Sequence, residues 1–309
     1  MLIGTSGRTV ATAQGLLAIL LWSTTFAVSR SLAEQVGVLT AGSAMLVGGG
    51  VLGCLYVALV ERRPAALFRL PRAYLLGCGV LFVAYMVCLF PAIGLAASRQ
   101  QTLEVGIINY LWPGLTLLFS IPILRTRVRR PFFAGIAMAA AGAALAPLRW
   151  GEYSAAALAE NLRANPLPYG LALVGAVVWA LYSTLSRRWA SAAESGAVPL
   201  FTLAAGLVLA ALRPVFDEPG AWTWRAGAEL AFMAVCPVML AYALWDRAVR
   251  KGNLTLVAAA SYLAPLLSTV LSALYLGVDL GWNLWLACGL LVGGAALAQW
   301  SVVEPATSG

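Results

Sequence analysis

The 309-residue sequence contains no histidine and few charged residues. Asp, Glu, Lys and Arg make up 10% of the chain, whereas 61% is hydrophobic and the mean hydropathy is +0.87. A single soluble core of this length cannot bury so many apolar residues. The five cysteines lack the spacing of a disulfide framework or a metal site. These features predict a membrane protein without a metal or other cofactor.

Long apolar segments run through nearly the whole chain, which leaves no room for a separate soluble domain. Each is about 18 to 25 residues long, enough for a helix to cross ~30 Å of hydrocarbon. The predicted spans are 11–29, 37–60, 73–97, 101–124, 131–148, 167–187, 195–212, 227–247, 253–276 and 281–303. We therefore expect an all-α membrane protein with ten transmembrane helices, in contact with the lipid bilayer.

The net charge of +8 comes from basic residues scattered at helix ends, a pattern that does not suggest nucleic-acid binding. Fourteen of the 20 basic residues fall in loops on the N-terminal side of the predicted membrane, and six fall on the other side. Cytoplasmic loops carry such an excess of Lys and Arg. Both termini are therefore predicted to be cytoplasmic.

The two halves of the chain repeat each other at an offset of 152 residues. The matching pairs are Val105 and Val257, Tyr110 and Tyr262, Pro113 and Pro265, Ser120 and Ser272, and "GAALA" at 142–146 and 294–298. Because each half holds five predicted helices, an odd number, the second half enters the membrane in the opposite sense. We expect two inverted five-helix repeats, 11–148 and 167–303, joined by a periplasmic connector at 149–166.

The repeated order of elements resembles a known family. A small-residue helix is followed by "YLWP" at 110–113 or "YLAP" at 262–265, and then by a helix rich in Gly and Ala. This arrangement is similar to the paired EamA modules of the drug/metabolite transporter superfamily. The Trp-rich sequence most resembles the branch that exports aromatic amino acids.

The resemblance implies a bacterial inner-membrane transporter that exports aromatic and other neutral amino acids by alternating access, and not an enzyme. No nucleophile–base pair or metal cluster stands out in the sequence. One alternative is an exporter of drugs or other metabolites. Another is a membrane receptor or assembly subunit that transports nothing.

The two repeated prolines lie near the centres of their predicted spans. Proline has no amide proton, so Pro113 and Pro265 leave the carbonyls of Asn109 and Ser261 without their helical donors. In lipid such groups need another partner, and a substrate ammonium group is one candidate. The alternative is that these prolines only kink tightly packed helices.

Polar side chains around both prolines recur in helical phase. At i, i+7 and i+11 they are Asn109, Thr116 and Ser120 in one half, and Ser261, Ser268 and Ser272 in the other. Since a polar stripe facing lipid is costly, we expect it to face the bundle interior. It would there contact substrate or form hydrogen bonds between helices.

The eleven tryptophans divide into two groups. Those near predicted span ends, typical of interfacial belts, are Trp150, Trp189, Trp222, Trp224, Trp245, Trp282, Trp285 and Trp300. Trp22, Trp112 and Trp179 instead lie near span centres. With Tyr85 and Tyr242 they are candidates for an aromatic cavity, or for ordinary packing. The complete set of candidate substrate-binding residues is Trp22, Thr25, Tyr85, Asn109, Trp112, Pro113, Trp179, Tyr182, Tyr242, Ser261, Pro265 and Ser268.

Ionisable residues are missing from the deep parts of the predicted spans. Proton-coupled carriers usually hold one there. Glu104 is the nearest candidate, but in the first turn of its predicted helix it would complement the helix dipole. This absence predicts a facilitator without ion coupling.

Two G-x-x-x-G spacings, Gly49 to Gly53 and Gly289 to Gly293, predict close helix contacts. We expect these contacts within one chain rather than between copies, and therefore a monomer.

Overall fold

The computed structural model describes residues 5–145, 155–218, 220–264, 266–267 and 282–303, which are mostly helical. The α-helices are α1 Thr5–Ser23, α2 Thr25–Val36, α3 Val38–Leu55, α4 Gly79–Gly94, α5 Arg99–Asn109, α6 Trp112–Leu124, α7 Pro131–Leu145, α8 Ala155–Ala164, α9 Leu167–Ala190, α10 Val198–Leu212, α11 Trp224–Met233, α12 Ala241–Lys251, α13 Leu254–Ala260 and α14 Trp282–Trp300. Short π- or 3₁₀-helical segments are Tyr56–Val60, Pro64–Leu67, Ala73–Cys78, Arg213–Val215 and Ala234–Leu240. The strands β1, Arg127–Val128, and β2, Val302–Val303, pair antiparallel.

Six continuous helical stretches are long and apolar enough to cross a bilayer. They are Val38–Val60, Ala73–Gly94, Glu104–Leu124, Leu167–Ala190, Val198–Val215 and Trp224–Lys251. Two shorter apolar helices are Pro131–Leu145 and Trp285–Trp300. The first predicted span, 11–29, is divided between α1 and α2, and the ninth is described only to residue 267. The chain is an all-α, multi-pass membrane protein, and the count of ten helices stays a prediction.

Contacts between loops define two ends of the helical bundle. At one end, which we call the basic end, lie the arginine-rich segments 61–72, 125–130, 187–197 and 247–253. Here Arg187 donates to the carbonyl of Gly252 at 2.6 Å, and the amide of Asn253 donates to Thr12 Oγ1 at 2.9 Å. Strand β2 pairs with β1 at this end, so α1 begins and the described chain finishes on the same side.

The other end, which we call the distal end, is formed by residues 36–40, 95–98 and 213–223. The carboxylate of Glu218 accepts from the amides of Leu39 at 2.6 Å and Thr40 at 2.8 Å, and thereby caps the start of α3. Gly37 joins α2 to α3 with φ 91, a conformation that favours glycine. The carboxylate therefore fixes the α2–α3 corner to the loop that precedes α11.

Helices are interrupted at matching positions of the two halves. Helix α5 ends at Asn109, residues 110–111 form a turn, and α6 begins at Trp112. Helix α13 ends at Ala260, and residues 261–262 form a turn. Pro113 follows the first interruption, whereas Pro265 lies outside the described residues.

Glycine allows helices to approach closely, although not at every predicted position. A Cβ on Gly49 would lie 2.5 Å from Val238 Cγ1, so this predicted close contact exists. Around Gly289, by contrast, nothing in the described part of the chain lies within 4 Å of a built Cβ. The close approach of α14 to α7 involves Gly294 instead, whose Cβ would lie 2.5 Å from the backbone nitrogen of Ala139. Among the described residues Gly289 makes no such contact, because the spacing identifies small residues but not the face that meets the neighbouring helix.

Candidate functional site

Eight aromatic side chains from five helices meet in the bundle interior. We call the following set the aromatic cluster: Trp22, Phe82, Tyr85, Trp112, Trp179, Tyr182, Tyr242 and Trp245. Trp179 is at its centre, with its ring centroid 4.6 Å from that of Tyr85 and 5.0 Å from that of Tyr182. The cluster brings together all six of the aromatic residues proposed from the sequence.

Trp22 owes its position to the break between α1 and α2. The hydroxyl of Thr24 donates to the carbonyl of Leu21 at 2.8 Å, a local bond that competes with the helix. The indole nitrogen of Trp22 donates to the carbonyl of Pro237 at 3.0 Å. Its ring centroid lies 5.2 Å from that of Tyr242 and 6.0 Å from that of Trp179.

A cavity of about 620 Å³ lies next to the aromatic cluster. It runs between α2, α3, α4 and the segment from Met233 to Tyr242, and Trp22 and Tyr242 form its aromatic wall. Exposed Glu34, Ala97 and Ser98 line it at the distal end. Pockets of this size bind small organic molecules, and this one is open to the distal end.

The lining is mainly apolar. Between the aromatic wall and the distal end it consists of Ala41, Met45, Leu46, Leu89, Phe90 and Ile93, with the carboxylate of Glu34 near the opening. Apolar walls with few polar groups suit a flat, partly apolar solute. Of the proposed site residues, Trp22 and Tyr242 contact the cavity directly, whereas the other aromatic residues stand behind them.

Asn109 provides a polar group beside the aromatic cluster. Its amide nitrogen is 3.5 Å from the hydroxyl of Tyr85, the limit of a hydrogen bond. Its side-chain oxygen is buried and has no hydrogen-bond partner among the described residues. A buried acceptor without a donor is costly, so the structure leaves an acceptor that a bound ammonium or hydroxyl group could use.

The predicted polar stripe is buried, but its hydroxyl groups are occupied within their own helices. Thr116 donates to Trp112 at 2.8 Å, Ser120 to Leu117 at 2.7 Å and Ser261 to Val257 at 2.8 Å, each bond to a backbone carbonyl. Each of these bonds stays within one helix, so it neither joins two helices nor involves the cavity. Pro113 is buried beside Trp112. Pro265, Ser268, Ser272 and the side chain of Thr25 lie outside the described part of the chain.

Trp245 contradicts its assignment to an interfacial belt. It is fully buried, and its ring centroid lies 5.3 Å from that of Trp22 and 5.2 Å from that of Trp112. The missed signal is its position three residues after Tyr242, which places both on one helix face. The belt assignment fits the exposed residues Trp222, Trp224, Trp285 and Trp300.

Buried charges are a second correction. Asp246 and Arg250 are 1% and 3% exposed, although no ionisable residue was expected deep in the bundle. Asp246 lies near the end of the predicted span 227–247, and Arg250 was placed in a loop. Helix α12 continues to Lys251 and carries both residues into the interior.

Glu104 is also buried, at 4% exposure, and lies in the second turn of α5 rather than in the first. It accepts hydrogen bonds from the hydroxyl of Tyr169 and from the amide of Asn161 at 3.3 Å. Its carboxylate therefore links α5 to α8 and α9, and its expected interaction with the helix dipole was wrong.

The chain belongs to the EamA-like transporter family, whose model matches residues 10–147 and 167–300. It is therefore a transporter and not an enzyme.

Three relatives carry the name aromatic amino acid exporter YddG. The protein of Escherichia coli (strain K12) is 31% identical over 306 residues, covering 94% of this chain and 97% of the relative. That of Salmonella typhimurium (strain 14028s) is 32% identical over 288 residues, covering 93% and 96%. That of Ancylobacter novellus is 34% identical over 297 residues, covering 94% and 97%. A solved crystal structure, 31% identical in sequence, superposes with a TM-score of 0.79 and covers 95% of this chain and 98% of its own.

Proposed function

We propose that this protein exports aromatic and other neutral amino acids across the bacterial inner membrane by alternating access. The observation that carries the proposal is a cavity of about 620 Å³ that reaches an aromatic wall from the distal end, while Asp246 and Arg250 form a buried ion pair toward the basic end. Relatives of nearly equal length are named exporters of aromatic amino acids, which supports this substrate class.

The substrate ring would lie against Trp22 and Tyr242. Aromatic pairs prefer tilted or offset contacts, and these two tilted rings would accept a third ring on the side that faces the cavity. Asn109 does not line the cavity in this structure, and its side-chain oxygen, which has no partner among the described residues, would accept from the α-ammonium group in a conformation that brings the two together. Trp179 and Trp112 would hold the wall in place from behind.

The basic end is proposed to face the cytoplasm because cytoplasmic loops are rich in arginine. The cavity then opens to the periplasm, and this structure represents the outward-open state. The ten-helix inverted repeat and the periplasmic position of 149–166 belong to the same proposal. A single chain contains the whole cavity, so a monomer suffices.

Transport is proposed to follow the gradient of the solute without ion coupling. The buried charges of α12 form an ion pair, Arg250 Nε to Asp246 Oδ2 at 2.7 Å, in which each charge neutralises the other.

Efflux of labelled phenylalanine from proteoliposomes tests the proposal. We expect efflux above that of protein-free vesicles, unchanged when the pH gradient and the membrane potential are collapsed. Accumulation driven by an imposed proton or sodium gradient would contradict the facilitator. Flux of planar drugs without flux of phenylalanine would favour the drug exporter, and no flux of either would contradict a transport function.

A further inference from the structure

A buried ion pair with two tyrosines closes the basic end below the aromatic cluster. We call Asp246, Arg250, Tyr74 and Tyr182 the latch. Asp246 Oδ1 accepts from the hydroxyl of Tyr74 at 2.8 Å and from that of Tyr182 at 3.3 Å, while Oδ2 accepts from Arg250 at 2.7 Å. Both charged side chains are 2% exposed.

The latch ties together separate segments of both halves of the chain. Arg250 also donates to the carbonyls of Ala190 at 3.3 Å and Ala193 at 2.9 Å, after the end of α9. The amide of Ala197 donates to the hydroxyl oxygen of Tyr74 at 3.3 Å. Segment Ala73–Cys78, helices α9 and α12, and residues 191–197 are thus held at one point, where both charged side chains are buried.

The latch is continuous with the proposed substrate site. Tyr182 belongs to the aromatic cluster through its 5.0 Å contact with Trp179. Trp245, which precedes Asp246, contacts Trp22 of the cavity wall at 5.3 Å. Gly196 packs so closely on the Asp246 carboxylate that a Cβ there would overlap it. A solute that passes from the basic end to the cavity must therefore separate the latch.

Two polar atoms beside the latch lack a partner in the described structure. The indole nitrogen of Trp245 and the hydroxyl of Ser183 are fully buried and form no hydrogen bond there. They adjoin Asp246 and Tyr182 in sequence. Buried polar groups are normally satisfied, so these atoms indicate a second arrangement in which a polar ligand contacts them.

A buried ion pair is weak evidence for stability, since desolvation of two charges offsets most of their attraction. Removing one partner is the costliest change, because the other charge is then buried without compensation. The ion pair is replaced at little cost only by another pair of opposite charges, which compensates both. A zwitterionic amino acid carries such a pair, a carboxylate and an ammonium group, on one carbon atom.

We propose that the latch is the cytoplasmic gate and the first binding site of the substrate, in which the α-carboxylate of an amino acid binds Arg250 and its α-ammonium group binds Asp246. This inference rests on the proposed function and adds the recognition of the amino acid head group. The latch then opens only for a solute that carries both charges. The aromatic ring is recognised afterwards, at the cavity wall.

Cys78 is a native reporter for this gate. It is fully buried, lies one helical turn after Tyr74, and its sulphur contacts the hydroxyl of Ser186 at 3.4 Å. The experiment uses the full chain in proteoliposomes with Cys54, Cys88, Cys236 and Cys288 replaced by alanine. The rate at which N-ethylmaleimide labels Cys78 is measured with phenylalanine, phenethylamine or 3-phenylpropionate, which share the ring but differ in their charges.

We expect phenylalanine to raise the labelling rate severalfold and the two singly charged compounds to leave it unchanged. Equal effects of all three compounds, no effect of phenylalanine, or protection by phenylalanine would overturn the proposal. Phenylalanine flux is measured in the same protein. If flux is normal but the labelling rate does not depend on ligand charge, only the proposal of the gate is contradicted. If there is no flux, the proposed function is contradicted.

Variants separate the latch from the binding site. Tyr74→Phe removes one hydrogen bond to a carboxylate, so the labelling rate without ligand should rise by about tenfold while the response to phenylalanine remains. Arg250→Met should raise that rate too and abolish the response. Arg247→Met, an exposed change on the same helix, is the matched control and should behave as the parent. If Arg250→Met does not fold, the ligand series on the parent protein decides the question.

Discussion

Two rings of the aromatic cluster, Trp22 and Tyr242, are partly exposed and line the cavity, while the other six are buried behind them. The same residue type therefore has two roles within one cluster. We propose that rings facing the cavity contribute to substrate affinity and that rings behind them contribute to folding. Mutations at the two kinds of position should be distinguishable.

Tyr242→Leu should weaken the binding of aromatic substrates. The loss of one ring contact, ~0.5 to 1.5 kcal/mol, raises the half-saturating concentration of phenylalanine by roughly 2- to 13-fold. Valine should be affected less because it has no ring to stack. Transport kinetics in proteoliposomes measure both values. Tyr56→Leu, at an exposed tyrosine outside the cavity, is the matched control, and equal effects on phenylalanine and valine would contradict stacking.

The main effect of Trp179→Ala should be a loss of stability rather than a loss of transport. Trp179 is 2% exposed and touches most of the aromatic cluster, so truncation should cost about 3 to 5 kcal/mol of unfolding free energy. Thermal unfolding in detergent measures the loss. Trp285→Ala, at a residue that is 71% exposed, should change stability by less than about 0.5 kcal/mol. A stable Trp179→Ala protein that transports valine but not phenylalanine would place this ring in the binding site instead.

At the scale of helices, interruptions and close contacts shape the site. The breaks after Ser23 and after Asn109 each lie beside a cavity or cluster tryptophan, Trp22 or Trp112. Helices α7 and α14 pack with their backbones in contact at Gly135 and Gly294. This pair of helices contributes no residue to the cavity lining and forms a support at the side of the bundle.

Gly294→Val should disrupt the contact between α7 and α14. The new side chain would meet the backbone of Ala139 and Gly135, which cannot move aside as a flexible side chain can. Overpacking of this kind costs typically 1 to 3 kcal/mol, measured as a loss of unfolding free energy in detergent. Gly289→Val makes the same change on the same helix, at a position where the described part of the chain places no atom within 4 Å of a Cβ. Similar stability of the two variants would refute this account of the contact.

The positions of helices were easier to predict from the sequence than which residues each helix buries. Apolar length identified six of the predicted spans because hydrocarbon thickness sets that length, and Pro113 marked an interruption between α5 and α6. The burial of Asp246 was not predictable, because its partners Tyr74 and Tyr182 come from positions 172 and 64 residues away. Trp245 was assigned from its nearness to a span end, whereas the continuation of α12 to Lys251 determines its burial.

At the scale of the whole molecule, the bundle has two unlike ends. The basic end is rich in arginine and contains the buried latch, and the distal end holds the opening of the cavity with Glu34 beside it. The structure therefore has the asymmetry that one state of an alternating-access carrier requires. The membrane orientation follows from charge, and it can be tested separately.

Reporter fusions test that orientation. At residue 165, after α8, a reporter that works only in the periplasm should be active. After β2, a reporter that works only in the cytoplasm should be active. The two sites lie at opposite ends of the bundle, so each serves as the control for the other. The same side for both reporters would refute the inverted-repeat topology.

Counterflow tests the central claim, alternating-access transport of aromatic amino acids, most directly. Proteoliposomes are loaded with excess unlabelled phenylalanine and diluted into a trace of labelled phenylalanine. A carrier that exposes one site to each side in turn releases unlabelled phenylalanine outside and carries labelled phenylalanine back inside. The labelled phenylalanine inside should therefore rise transiently above its equilibrium level. A monotonic rise to equilibrium without this overshoot, in vesicles that do transport phenylalanine, would contradict the account.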